Sequence, residues 1–347
     1  MNLVNELIKG VRPAVRLRRR LRGPGRPSWS EEFETIVTVL RWSANASTLL
    51  PLALQRDAVN TPRPDTEVVQ ETAITAVDAG GVPGFWFTRP ESDPERAILY
   101  LHGGGYSVGS VRMLRDLIAR LCRDSGARVL ALDYRLAPEH PFPAQLDDAI
   151  AAFLWLLAQG LAPQGLGIAG ESAGAGLTLS TLLELRERGL GSPAAAALVS
   201  PWVDLEPAAA SYRENRRWDF VTPRAIAAYT ARFVPPSSLR HPLAAPIHAA
   251  LHDLPPILIQ VGQVESPRDE GISLARKIER AGGDVELEVW DDMIHAFHVF
   301  APLLPEARQA IDKMGAHFRR HFARWSAVAP EQDGTDTLTP RVGSAQR

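Results

Sequence analysis

Between Ala97 and Phe322 the chain alternates short apolar runs with segments of helical periodicity, and no feature narrows its fold more. Ala97–Leu101, Val129–Leu132, Gly167–Ala169, Ala196–Val199 and Ile257–Val261 are too short for helices and show no polar alternation. That is the pattern of strands buried on both faces. Between them, Leu114, Leu117, Ile118 and Leu121 share one helix face, as do Leu146, Ile150, Phe153, Leu154 and Leu157. Ala173–Leu185 and Ile272–Ala281 read as further helices, the latter closed by Gly282-Gly283. Glu286–Trp290 reads as a last strand, and Ala307, Ile311, Met314, Phe318 and Phe322 mark a last helix. Upstream, Glu67–Val77 and Gly84–Thr88 read as strands around the Gly80-Gly81 turn. The order predicts an α/β fold, a mostly parallel central sheet flanked by helices.

Two stretches break the rhythm. Residues 1–65 are helical and proline-punctuated, with no strand pattern, and Pro207–Pro246 inserts a polar and aromatic segment, helical at Arg224–Phe233, between two strands. An insertion of that length is a candidate lid. The expected organisation is an N-terminal helical part of a cap over 1–65, a core over 66–206, a cap insertion over 207–246 and core again over 247–326. Residues 327–347, small and polar, are expected to be a disordered tail.

Charge and cysteine content narrow the function. The formal net charge is −2, so no global field favours nucleic acid. Seven arginines nevertheless crowd into Arg12–Arg26 with no acidic residue among them, expected as a solvated helix or arm, with a membrane surface or acidic partner as the alternative. Cys122, the single cysteine, excludes an intrachain disulfide and falls on the apolar face of its helix, a packing position. The longest apolar region, Ile36–Leu54, is interrupted by Arg41, Asn45 and Ser47 and is too broken to span a bilayer. A soluble, cytoplasmic protein is expected, and a homodimer is compatible with it.

Three motifs carry chemistry. Gly170-Glu171-Ser172-Ala173-Gly174 is a G-x-S-x-G sequence between a strand and a helix. A serine on such a turn needs small neighbours so that the backbone can bend, and the Ala173 amide at the helix start is free to bind an anion. His102-Gly103-Gly104-Gly105-Tyr106 directly follows the strand Ala97–Leu101. Its glycines leave amides uncovered, as an oxyanion hole requires. Of nine histidines, His295 stands just past the strand Glu286–Trp290 and after the serine in the chain, where a general base belongs. His298, between Phe297 and Val299, is the nearest competitor and reads as packing. For an acid, the loop after Ile257–Val261 offers Glu265, Asp269 and Glu270; the last two enter the next helix, where acids favour the dipole without any catalytic role.

Together these motifs resemble the hormone-sensitive-lipase family of α/β-hydrolase carboxylesterases. Asp133-Tyr134-Arg135-Leu136-Ala137-Pro138-Glu139, Ser200-Pro201-Trp202-Val203-Asp204-Leu205 and Asp291-Asp292-Met293-Ile294-His295-Ala296-Phe297 extend the resemblance from about Val68 to Phe322. It implies carboxylic-ester hydrolysis without a cofactor, under a helical cap built from the N-terminal helices and the Pro207–Pro246 insertion; such a cap is expected to limit acyl chains to short or medium length. It implies Ser172 as nucleophile, His295 as base and Glu265 as acid, with the amides of Gly104, Gly105 and Ala173 as oxyanion donors and His102 holding the glycine loop. Two positions depart from the family pattern: Glu171 stands where aspartate is usual, and Ala175 where a second glycine is frequent.

Competing classes fare worse. Gly165-Leu166-Gly167-Ile168-Ala169-Gly170 spells a dinucleotide fingerprint, but the strand lies inside the motif instead of before it. Plant gibberellin receptors resemble the same family after losing the catalytic histidine, and His295 is present here. Metal-dependent hydrolysis lacks an H-E-x-x-H sequence. Trp202, Trp218, Phe220 and Tyr229 are expected to pack between helix and sheet, with pocket lining as the alternative.

Overall fold

The computed structural model describes residues 3–47, 50–61 and 64–326; the expected tail lies outside the described residues. Eight strands make one sheet: β1 (Ala73–Asp78), β2 (Pro83–Thr88), β3 (Asp93–Leu101), β4 (Ala127–Leu132), β5 (Leu166–Glu171), β6 (Ala195–Val199), β7 (Ile257–Gly262) and β8 (Val285–Trp290). Their spatial order is β1-β2-β4-β3-β5-β6-β7-β8. β2 pairs antiparallel with both β1 and β4, and every other pairing is parallel.

The helices are α1 (Leu3–Arg22), α2 (Glu31–Ser47), α3 (Leu52–Val59), α4 (Glu67–Gln70), α5 (Arg115–Ser125), α6 (Ala144–Ala158), α7 (Ala173–Arg188), α8 (Ala210–Glu214), α9 (Pro223–Phe233), α10 (Arg268–Arg280) and α11 (Pro305–Ser326). Every residue of β5, β6 and β7 is buried because helices cover both faces. Leu99, Leu101 and Ile168 pack towards α6, α7 and α10. Ile98, Tyr100 and Ala169, one residue out of step, pack towards α5 and α11. Cys122 is buried among the latter, its Sγ donating to the Phe87 carbonyl.

One expected strand is shorter than its sequence suggested. Glu67–Gln70 is a helical turn and β1 begins only at Ala73. Val68 and Val69 read as strand residues, but both are buried in the cluster formed with α5, which a helical turn allows and a strand, with its alternating faces, does not.

α1 packs on α2 through Val11, Val15 and Val39. Arg12 and Arg16 donate to Glu31, and Arg18 and Arg19 to Glu34. The linker after α1 reaches across the chain: Arg26 Nε donates to Asp292 Oδ1 at 2.6 Å and Trp29 Nε1 to the Asp292 carbonyl at 2.7 Å. The topology matters most between β3 and β5. The chain winds outward from β3 to β4, then restarts on the other side of β3 with β5. The crevice at the carboxyl ends of those two strands is the sheet's switch point, where open α/β sheets bind ligands.

Candidate active site

Both glycine motifs end at that switch point. β3 pairs with β5 in register Leu101↔Gly170, so His102-Gly103-Gly104-Gly105 and the Ser172 turn emerge side by side. Ser172 adopts φ 56°, ψ −121°, a conformation costly for a residue with a Cβ. It is held there by its N–H donating to Val199 O at 2.9 Å and its carbonyl accepting from Trp202 N–H at 3.1 Å. Close packing requires the flanking glycines: a Cβ at Gly174 would run into the Leu101 carbonyl, and one at Gly170 into Gly174.

The glycine loop is anchored from below. Glu171 Oε1 accepts the Gly103 N–H at 2.5 Å, and its Oε2 accepts the Tyr100 hydroxyl at 2.8 Å. Burial raises the Glu171 carboxyl to about 7, against the pull of those hydrogen bonds. His102 Nδ1 lies 2.7 Å from the Gly103 carbonyl and its ring stacks on Tyr134 at 4.2 Å, the structural part expected of it. Tyr134 Oη in turn donates to the His102 carbonyl. Gly104 takes φ 114°, closed to most side chains. Among the described residues the amides of Gly104, Gly105 and Ala173 have no acceptor, so three donors remain available at one place.

His295 and Glu265 come together beside the serine turn. Glu265 Oε2 is 3.8 Å from His295 Nδ1 and accepts the Ser200 hydroxyl at 2.5 Å. Ser200 Oγ also accepts the Ala296 N–H at 2.9 Å, which ties the histidine loop to the end of β6, next to Ser172. Glu265 is fully buried and His295 4% exposed. Desolvation moves the two in opposite directions. The Glu265 carboxyl rises well above the usual range, with Asp219's charge adding to the effect. His295 falls to about 3 and is neutral over the working range. Glu265 Oε1 and His295 Nδ1 are both buried without a hydrogen-bond partner among the described residues. Leaving such groups unpaired costs roughly 1–3 kcal/mol each.

The competing candidates go elsewhere. His298 Nε2 meets Gln260 Oε1 at 2.9 Å inside the core. Glu270 accepts from Tyr212 Oη and from the amides of Val203 and Asp204. Asp269 and Glu270 do lie in the first turn of α10, where their charge favours the dipole, but the residue before the helix is Pro267 and the Asp269 side chain accepts the Ser211 N–H at the start of α8. The cap position sits on a neighbouring helix, which spacing along the chain does not reveal. Of the four aromatics, Trp202 packs on Tyr106 and Trp218 on Trp29. Phe220 meets the His295 ring edge-on at 5.9 Å, and a Cβ at Gly105 would strike the Tyr229 ring. Among the described residues no group of three or more His, Cys, Asp or Glu side chains is arranged to hold a metal ion, and no helix is long and apolar enough to cross a membrane.

A family model described as the alpha/beta hydrolase fold matches residues 98–299, the span that holds both glycine motifs and His295. A solved esterase from the bacterial hormone-sensitive lipase family superposes with a TM-score of 0.73 at 34% identity, covering 91% of this chain and 98% of its own. The chain belongs to the hormone-sensitive-lipase family of α/β hydrolases. An acetyl-hydrolase of Streptomyces hygroscopicus is 42% identical over 244 residues, 70% of this chain and 81% of its own. An esterase/lipase from an uncultured bacterium superposes with a TM-score of 0.76 at 36% identity, over 91% of this chain and 98% of its own.

Several residues of this family member's site carry no motif. Asp219 is 1% exposed; its Oδ1 accepts the His295 N–H at 3.2 Å and its Oδ2 the Ser266 N–H at 2.7 Å. Asn215 Nδ2 donates to the Glu265 carbonyl at 2.8 Å, and Ser211 Oγ to that of Ser266 at 2.6 Å. Residues 211–221 are thus stitched to the loop that carries Glu265. The only sequence signal was their polarity, shared with much of the insertion.

Proposed function

We propose that this carboxylic ester hydrolase works through an acyl-enzyme on Ser172, with His295 as general base and Glu265 as the acid behind it. The observation that carries the reading is the strained Ser172 turn beside three unbonded amides. Ser172 attacks the ester carbonyl while His295, neutral before reaction, takes its proton. The amides of Gly104, Gly105 and Ala173 receive the charge that develops on the carbonyl oxygen. Glu265 stabilises the imidazolium as it forms, which then protonates the leaving alcohol. Water repeats the cycle on the acyl-enzyme.

The N-terminal helices and the 207–246 insertion act as the cap, limiting substrates to short and medium acyl chains. Tyr229 against Gly105 and Phe220 against His295 support a confined acyl site. The matched acetyl-hydrolase agrees with small acyl groups. The deciding experiment is Ser172→Ala with a panel of nitrophenyl esters of increasing acyl length. The variant should fold normally and lose about 10⁶ in kcat; near-normal turnover would end the serine-hydrolase reading.

A further inference from the structure

The arginines of α1 take no part in the site, and the helix carries more apolar surface than its packing uses. Its inner stripe, Ile8, Val11 and Val15, lies on Val39 of α2. A second stripe, Leu7, Gly10, Ala14, Leu17 and Leu21, recurs at alternating spacings of three and four and so shares one side of the helix. Leu17 and Leu21 are 59% and 74% exposed, and Trp42 of α2 is 62% exposed. Between the two helices, Ala14, Val37, Trp42 and Trp218 line an open groove of about 260 Å³.

The same segments are rich in positive charge. Residues 1–47 and 210–224, joined by the contacts of Trp218 with Trp29 and of Arg41 with the Arg216 carbonyl, hold thirteen Lys and Arg against six Asp and Glu. The balance is +7 in a chain of net charge −2, so the remainder is at −9. Acidic residues neutralise these arginines only in part: Arg12 and Arg16 share Glu31, Arg18 and Arg19 share Glu34, and Arg26 pairs with Asp292 outside the two segments. Arg20 and Arg22 are exposed, with no acidic partner among the described residues. Arg217 lies over the Trp218 ring at the groove's rim.

We infer that this face docks the protein on an anionic lipid bilayer, with Leu17, Leu21 and Trp42 entering the headgroup boundary and the arginines meeting lipid phosphates. An amphipathic helix with exposed Leu and a nearby Trp, rimmed by arginine, has the composition of an interfacial helix. A second copy is the poorer occupant, because a two-fold contact on this face would set +7 against +7. A nucleic acid would satisfy the arginines and leave the exposed leucines in water.

The test is co-sedimentation of the full chain with vesicles of phosphatidylcholine plus phosphatidylglycerol, and with vesicles of phosphatidylcholine alone. Partition should favour the anionic vesicles and fall with added salt. Arg20→Ala/Arg22→Ala should lower it about 30-fold, about fivefold per arginine. Leu17→Ser/Leu21→Ser should lower it about tenfold or more without changing the salt dependence. All four side chains face solvent, so thermal unfolding should match the parent. Equal partition to both vesicle types, or an arginine variant that binds like the parent, overturns the inference. So does a dimer in sedimentation equilibrium that the leucine variant abolishes, which would assign the face to a second copy. Tighter binding of a labelled DNA duplex, lost in the arginine variant and kept in the leucine variant, would assign it to nucleic acid.

Discussion

Glu265 Oε2 stands 3.8 Å from His295 Nδ1 while it accepts the Ser200 hydroxyl at 2.5 Å. The carboxylate is therefore within reach of the imidazole's charge but spends its hydrogen bond on a serine. Burial holds the Glu265 carboxyl well above the usual range, and an imidazolium forming 3.8 Å away pulls it back towards its charged form, where the attraction is worth far more than in water. Glu265→Gln should lower kcat on the order of 10⁴ with the fold intact. Asp269→Asn should instead cost roughly 1 kcal/mol of stability, through the start of α8, with turnover nearly unchanged. Steady-state kinetics and thermal unfolding of the two variants check this; the reverse pattern would move the acid to Asp269.

Asp219 joins the insertion to the His295 and Ser266 backbones with one carboxylate. In Asp219→Asn the amide NH2 must face one of those two N–H donors, leaving a buried donor unpaired. The loop carrying His295 should shift, and misplacement on an ångström scale costs about 10²-fold. The loss should fall on kcat and spare KM, since Asp219 contacts the backbone of the loop that carries the proposed base. A variant that melts normally and turns over normally would show the clamp to be dispensable.

Glu171 should leave a mark on the pH dependence of stability. Its folded-state value, about 7, lies above the ordinary 4.5 because burial disfavours the charge. The folded state therefore binds more protons than the unfolded chain between those values, and stability falls as pH rises through that window. The contribution is whole below about 4.5 and gone above about 7. Glu171→Gln keeps an acceptor for the Gly103 N–H and removes the titration. Its melting curve should gain on the parent's as pH rises, by at most ~3 kcal/mol. Parallel curves for parent and variant across pH 4–8 would refute the assignment.

The Tyr229 ring occupies the space that a side chain at Gly105 would need, and on the proposed function it walls the acyl site. Tyr229→Ala should raise kcat/KM for longer acyl chains relative to acetyl, by up to about fourfold for each methylene newly buried. The nitrophenyl ester series measures this directly. An unchanged length profile would place the limiting wall elsewhere.

The alternation of buried runs and helical faces is a local property, so the chain alone determined the α/β sheet and the order of its strands along the sequence. It also determined that Ser172 and the glycines at 103–105 sit on turns after strands, because the φ values and close approaches they need are demands on single residues. Among Glu265, Asp269 and Glu270 the residues alone left the acid open; only the family resemblance pointed to Glu265, whose Oε2 lies 3.8 Å from His295 Nδ1. Local patterns failed where a partner was distant. Val68 and Val69 look alike in a strand and in a helical turn until α5 is there to bury them. Asp269 serves a helix 58 residues away, Asp219 reaches an amide 76 residues away, and Arg26 pairs with Asp292 across 266 residues. Those contacts exist because the tertiary fold brings the ends of β6, β7 and β8 under one insertion. A buried carboxylate there must find donors wherever the backbone offers them, and a single sequence holds no record of which amides end up in reach.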